Sequence, residues 1–331
     1  MLFETVLILS VAFLGFLYFL AKNNKRERID LLGKHVVITG GSSGIGYDLS
    51  LEAVKQGAHV TVIARNKDKL NKIKAVLEEI RQKSGTINSQ IIQVESLDIS
   101  KSFEETKAAF ERLSKTAGPV DILINNAGIS RCGQFSELTI QDFEDLMRVN
   151  YLGGVYCTKS VVESMKNRRF GRILFVSSQA GQIGIFGYSA YSASKFALRG
   201  LVEALQMEVK PYNIFVTLSF PPDTDTPGFK EENITKCEEN RLISESSGLS
   251  SSKEVAQGII RSIKKGKFVN YFGLNGFLLC ILTAGAAPIT SLKDALLEII
   301  MMPLARIIAL GLLFNFDTIV KKCHKNKLKA K

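Results

Sequence analysis

The sequence predicts an α/β fold, a doubly wound parallel sheet covered by helices on both faces, lying between an apolar N-terminal segment and an apolar helical C-terminal region. Three observations lead there. From Leu31 onward short apolar runs alternate with segments of helical period, in β-α-β-α-β order. A glycine-rich turn, Thr39-Gly-Gly-Ser-Ser-Gly-Ile-Gly46, follows the first of those runs directly. Apolar residues are also concentrated at the two ends, more than one core of 331 residues needs.

Thr5 to Ala21 is an uncharged apolar run, slightly short of a full span unless Leu2 and Phe3 join it. Glu4 stands where a secretory leader carries basic residues, and no small-residue cleavage pattern precedes Lys22, so an uncleaved anchor is expected. Lys22, Lys25, Arg26 and Arg28 follow it, which places the next domain on the cytosolic side by the positive-inside rule. Residues 1–30 thus read as anchor and basic juxtamembrane segment.

His35-Val-Val-Ile-Thr39 is the first strand, and Ile45 to Gln56 the helix after it, closed by Gly57. Val60 to Ile63 is the second strand. Asp68 to Lys83 carries Leu70, Ile73, Val76, Leu77 and Ile80 at helical spacing, and Ile91 to Leu97 returns as a strand. Later units are Val120–Ile124, a long helix through Asn150, Arg172–Val176, the helix that carries Tyr191, and Ile214–Ser219. Residues 221–250, with prolines, acids and serines, break the rhythm and read as a substrate flap beside the strand ends. Ser251-Ser-Lys-Glu254 opens a further helix as a capping box. The catalytic domain is therefore expected over residues 31–268. Beyond it, 269–331 is apolar and membrane-associated, interrupted by Pro288 and Pro303 and ending in a lysine-rich tail. Two spans, a re-entrant hairpin, interfacial helices and buried dimer-forming helices are all consistent with its pattern.

The formal charge of +11 is clustered beside those apolar segments, a pattern suited to an anionic membrane surface. No central basic stripe interleaved with aromatics accompanies it, so no nucleic-acid partner is expected. Cys132, Cys157, Cys237, Cys280 and Cys323 are an odd, scattered set without a Cys-x-x-Cys pair, which argues against a disulfide framework and for a reducing compartment. His35, His59 and His324 lack ligand spacing with them, and no metal is expected.

Tyr191-Ser-Ala-Ser-Lys195 carries the chemistry. On a helix, positions four apart share a face, so Lys195 stands beside the Tyr191 hydroxyl and favours its phenolate. With Ser178 the tyrosine makes a donor pair able to stabilise and then protonate the oxygen of a carbonyl under reduction. Glycines 40, 44 and 46 remove side chains where backbone must approach a pyrophosphate, and the following helix offers its N-terminal amides, a Rossmann-type device.

The T-G-x-x-x-G-x-G spacing, Asn125-Asn-Ala-Gly128 and the Ser178, Tyr191, Lys195 set together resemble the short-chain dehydrogenase/reductase family, from about Leu31 to Lys267. That resemblance implies that Gly40, Ser42, Ser43, Gly44, Ile45 and Gly46 hold cofactor phosphates, that Asp98 touches the adenine, and that Asn126, Ala127 and Gly128 line the adenosine ribose. It implies that Asn150 anchors a water in a proton relay, that Ser178 binds the substrate carbonyl, and that Tyr191 supplies its proton. Lys195 would bind the nicotinamide ribose while lowering the tyrosine pKa, and Thr226 would grip the carboxamide. Pro222 departs from the family's usual glycine.

Where an acidic residue would grip the 2'-hydroxyl of NAD, Arg65 stands at the end of the second strand instead, which favours NADPH and the reductive direction. Runs such as Glu203 to Asn213 and Pro221 to Phe229 are similar to the branch of the family acting on a long-chain sphingoid ketone at the endoplasmic reticulum membrane. Another lipid ketone (steroid, retinoid or 3-oxoacyl chain) is the alternative substrate, and a non-catalytic scaffold a further one. Family members commonly pair, so a homo-oligomer stays open. An ammonium on the substrate would need an acid near the flap, with Asp223, Asp225, Glu231 and Glu232 as candidates.

Overall fold

The computed structural model describes residues 2–23, 27–84, 89–245, 248–288 and 291–329; Lys25, Arg26 and Lys331 of the basic clusters lie outside them. The chain begins with helix α1 (Leu2–Asn23) and enters the sheet at β1 (His35–Thr39). It continues through α2 (Gly44–Lys55), β2 (His59–Ala64), α3 (Lys67–Ser84), β3 (Ile92–Ser96), α4 (Phe103–Ala117) and β4 (Ile122–Asn125). Next come α5 (Ile140–Met147), a π-helical turn over Arg148–Leu152, α6 (Gly153–Arg168), β5 (Gly171–Val176), α7 (Ser189–Val209) and β6 (Ile214–Phe220).

Seven strands form one sheet in the order β3-β2-β1-β4-β5-β6-β9, where β9 is Val269–Tyr271, and every pairing is parallel. The chain builds outward from β1 to β3, then returns to place β4 on the other side of β1. Val36 is accordingly in register with Val60 on one side and Ile122 on the other. Such a reversal opens a crevice at the carboxyl ends of the two strands, the usual ligand position in this architecture.

The strands β1, β5 and β6 are buried along their whole length, without polar alternation, because helices cover both sides. Leu49, Ala53, Leu70, Leu77 and Ile259 pack one face, from α2, α3 and α10 (Ser252–Lys265). Phe110, Val161, Met165, Leu198 and Val202 pack the other, from α4, α6 and α7. The expected flap is built of regular pieces: β7 (Thr224–Asp225), α8 (Pro227–Thr235), α9 (Glu238–Glu245) and β8 (Ser250–Ser251), with β7 and β8 paired in parallel. Ser251 caps α10 by accepting the Glu254 amide.

The C-terminal region differs from its expected form. After α11 (Gly273–Leu282), a single helix α12 runs from Leu292 to Lys329 and passes straight through Pro303 into the lysine-rich tail. A proline removes one i→i−4 bond, and the long ladder on either side carries the helix across that gap. Among the described residues α12 is the helix long and apolar enough, by length and composition, to cross a membrane; the apolar stretch of α1, Glu4–Leu20, is shorter.

Both ends of α12 are nevertheless held on the body of the protein. It packs against α11, α9 and α1. Its buried residues are Ala295, Ala305, Ala309 and Cys323, small side chains that fall on one helical face. Near its end Lys327 Nζ lies 2.7 Å from Glu239 Oε1 of α9.

Phe175 is 1% exposed, its ring edge seated against the backbone of Gly154 in α6. Phe175→Ala is expected to destabilise the protein by about 3–5 kcal/mol, read by chemical denaturation, because the strand and helix backbones cannot close over the void.

Candidate active site

The crevice between β1 and β4 is shaped by two loops in backbone contact. Gly40 has φ +65, and a Cβ on it would lie 2.9 Å from Ala127 Cα. A Cβ on Gly46 would lie 2.2 Å from the Gly40 carbonyl oxygen, so neither position admits a side chain. Thr39, the last residue of β1, clasps the pair: its Oγ1 accepts the amides of Asn126 and Ala127 at 3.0 and 3.1 Å. In return the Asn126 side-chain Nδ2 donates to the Thr39 carbonyl at 3.0 Å.

The reaction centre sits at the ends of β4 and β5. Ser178 follows β5 and caps the short turn Gln179–Gly181 by accepting the Ala180 amide at 3.2 Å. Ser177 Oγ donates to the Lys195 carbonyl at 3.1 Å, fixing the strand end to α7. Tyr191 and Lys195 lie one turn apart on α7, with the Lys195 ammonium 5.8 Å from the Tyr191 ring centre and donating to the Val176 carbonyl at 3.0 Å. Asn150, buried in the π-helical turn, accepts the Ile129 amide at 2.8 Å and donates to the Ile129 carbonyl and to Ser194 Oγ at 3.0 and 2.9 Å. Ser194 Oγ in turn donates to the Tyr191 carbonyl at 2.7 Å. Gly128 belongs to the same cluster, since a Cβ there would come within 3.3 Å of Lys195 Nζ.

The electrostatics depart from the expected phenolate. Burial pushes the Tyr191 hydroxyl up to about 12; its hydrogen bond with Ser178 opposes that rise, and the Asp223 charge adds to it. Burial likewise pushes the Lys195 ammonium down to about 8. Burial sets the direction of both shifts, and in the protein alone it favours the neutral phenol.

Gly40, Ser42, Ser43, Gly44, Ile45, Arg65, Asp98, Asn126, Ala127, Gly128, Ser178, Tyr191, Lys195 and Thr226 all line one cavity of about 1180 Å³. Gly46 and Asn150 lie behind its wall. Asp98 accepts from the Ser100 amide and hydroxyl; burial acts to raise its pKa, but those bonds and the Arg65 charge bring it below the usual carboxylate range. Thr226 caps α8 by accepting the Phe229 amide at 3.1 Å, and its methyl abuts Gly44, where a Cβ would be 3.0 Å away. The flap thereby rests on the glycine turn.

Of the four flap acids, Asp223, Glu231 and Glu232 line the cavity. Asp225 pairs with the exposed Lys230. Glu232 accepts from Ser130 and Tyr188, and the buried Lys236 ammonium lies 3.4 Å from it and 3.6 Å from Asp223. Burial raises the Asp223 carboxyl, with Lys236 and Ser244 opposing.

Thr39, Ser177 and Ser194 hold this geometry, yet sequence reasoning gives them no role: a hydroxyl inside a strand or helix carries no signal until its partner, up to 88 residues away, is known. Lys69, from the first turn of α3, joins Arg65 in lining the cavity and is hidden in the sequence by the lysines around it. Cys132 and Cys237, also unremarkable in sequence, have sulfurs 3.6 Å apart.

The cradle fits a dinucleotide. Backbone without side chains faces the position of a pyrophosphate, the cations Arg65 and Lys69 are at hand, and a carboxylate lies beyond. Comparison with known proteins agrees. The family model described as short chain dehydrogenase matches residues 34–236. A 3-dehydrosphinganine reductase of Danio rerio is 48% identical over 313 residues, covering 95% of this chain and 93% of that protein. A 3-ketodihydrosphingosine reductase of Bos taurus is 47% identical over 319 residues, covering 96% and 95%. One of Dictyostelium discoideum is 37% identical over 316 residues, covering 93% and 94%. With its parallel sheet, glycine cradle and Ser178, Tyr191, Lys195 cluster, the chain is an oxidoreductase that belongs to the short-chain dehydrogenase/reductase family.

Proposed function

We propose that the protein reduces 3-ketodihydrosphingosine (3-dehydrosphinganine) to dihydrosphingosine with NADPH, a step of sphingolipid synthesis. The observation that carries the reading is the cavity: it joins Ser178, Tyr191 and Lys195 to an apolar wall, in a chain nearly half identical over its length to reductases of that name. Ser42, Ser43, Gly44 and Ile45 hold the phosphates against the first turn of α2, and Arg65 with Lys69 takes the 2'-phosphate. When bound, the reduced nicotinamide supplies a hydride to the ketone carbon.

The chain's own residues handle the oxygen. Ser178 orients the carbonyl by hydrogen bonding, and the Tyr191 hydroxyl, kept protonated by burial, donates to the oxygen as negative charge develops. Lys195 provides the cation that stabilises the phenolate left behind. The Asn150 side chain, engaged with Ile129 and Ser194, acts as a positioning residue beside its expected part in a proton relay. Asp223, whose charge is felt at Tyr191, and Glu232 are proposed to face the substrate ammonium, which sits on the carbon next to the ketone. Lys22 in the last turn of α1 and Arg28 beyond it support a catalytic face toward the cytosol, at a membrane that we propose is the endoplasmic reticulum.

The deciding assay follows NADPH oxidation by the full chain with 3-ketodihydrosphingosine beside steroid, retinoid and 3-oxoacyl ketones; turnover of another class in its place overturns the substrate. Tyr191→Phe is expected to lower kcat by about 10²–10⁴-fold while leaving NADPH affinity within about threefold, measured by fluorescence titration. Arg65→Ala is expected to weaken NADPH about tenfold to a hundredfold and leave NADH nearly unchanged, as read from the two KM values. The reductive kcat/KM is expected to be level below pH 8 and to fall above it. The Lys195 cation, present below its lowered pKa of about 8, is lost as pH rises, whereas Tyr191 at about 12 stays protonated throughout. A pH–rate profile checks the sign.

A further inference from the structure

The cavity extends well past the reaction centre, and its far end has a different chemistry. At about 1180 Å³ it is larger than the roughly 300–1000 Å³ of a pocket for one drug-sized ligand. Its polar end is built from the glycine turn, Arg65 and Asp98. Beyond Ser178 and Tyr191 it is walled by Leu278, Leu279 and Leu282 of α11 and by Ala309, Leu312 and Phe316 of α12. Arg306 is the one ionisable group that either helix contributes to the lining.

The helix α12 has two apolar faces with different partners. Ala305 and Ala309 are buried against the body of the protein, on the same side as Leu312 and Phe316. Ile300, Leu304, Ile307, Leu310 and Phe314 fall on the opposite side and are exposed. Because α11 packs against the helix and the Lys327–Glu239 contact ties its far end to α9, α12 lies along the catalytic domain over the cavity. An outer face this apolar suits the acyl region of a bilayer, in the manner of an interfacial helix.

We infer that α11 and α12 form a subsite for the hydrocarbon chain of the substrate, entered from the bilayer on which the outer face of α12 rests. The inference rests on the lipid-ketone reading above and deepens it. Leucine, alanine and phenylalanine side chains recognise no other part of an amphiphile, and the subsite is continuous with the position of Ser178 and Tyr191, so a molecule whose polar head reacts there extends its tail between the two helices. Each buried methylene strengthens such binding roughly threefold to fourfold.

The test compares Ala309→Phe, which fills the subsite, with Ile307→Phe, which adds bulk to the outer face. The full chain in mixed micelles is assayed on the long-chain ketone and on a short-chain analogue with the same head group, and product binding at both chain lengths is measured by calorimetry. Ala309→Phe is expected to lower kcat/KM for the long-chain ketone by at least about tenfold, to change the short-chain value by less than about twofold, and to leave NADPH affinity unchanged. Ile307→Phe is expected to alter none of these. An equal loss on both chain lengths, or no loss on the longer, overturns the subsite. If wild-type protein turns over no sphingoid ketone and yet chain-length discrimination in binding disappears in Ala309→Phe, the substrate reading fails and the subsite stands. If turnover is present and discrimination survives the substitution, the reverse holds.

Discussion

The close approach of two backbones at the crevice between β1 and β4 is the constraint on which the rest depends. With a Cβ on Gly46 placed 2.2 Å from the Gly40 carbonyl, the glycine turn exists in one arrangement only, and the Thr39 hydroxyl fixes the opposing loop to it by two amide bonds. That opposing loop continues through Gly128 to Ile129, which Asn150 grips on both its amide and its carbonyl. Asn150 holds Ser194, Ser194 holds the Tyr191 carbonyl, and Ser177 holds that of Lys195. The glycine turn and the Tyr191 helix are therefore positioned by linked hydrogen bonds.

Burial, more than pairing, sets the protonation states at that centre. A lysine one turn from a tyrosine reads in sequence as a device for lowering the tyrosine pKa. In the folded chain Lys195 is hydrogen-bonded to the Val176 carbonyl, and desolvation moves the two groups the opposite way from a simple ion pair. A neutral phenol is the form the proposed proton donation needs. Close by, pairing rules instead: the buried Lys236 side chain lies 3.6 Å from Asp223 and 3.4 Å from Glu232.

Periodicity made the strands legible, because β1, β5 and β6 are buried on both faces and carry unbroken apolar runs. The glycine turn and the Tyr191–Lys195 spacing are equally local, and they brought the polar end of the cavity and its tyrosine–lysine pair with them. Longer-range features stayed hidden. The strand β9 has three residues and no pattern of its own, and α4 lies outside the sequence reading although Ala109, Phe110 and Leu113 give it a core-facing stripe. Pro303 signals a break that its neighbours do not honour, and the partnership of Lys327 with Glu239, or of Cys132 with Cys237, joins positions 88 and 105 apart.

The π-helical turn that carries Asn150 has a consequence for how this chain can vary in length. It inserts extra backbone between α5 and α6, so every residue of α6 is rotated relative to an unbroken helix. Without that wider turn the extra residue would rotate α6 by about 100°. Gly154 would leave its seat on Phe175, and Cys157 and Val161 would swing out of the hydrophobic layer. The turn therefore takes up one residue of length locally, and the shift does not propagate into the sheet.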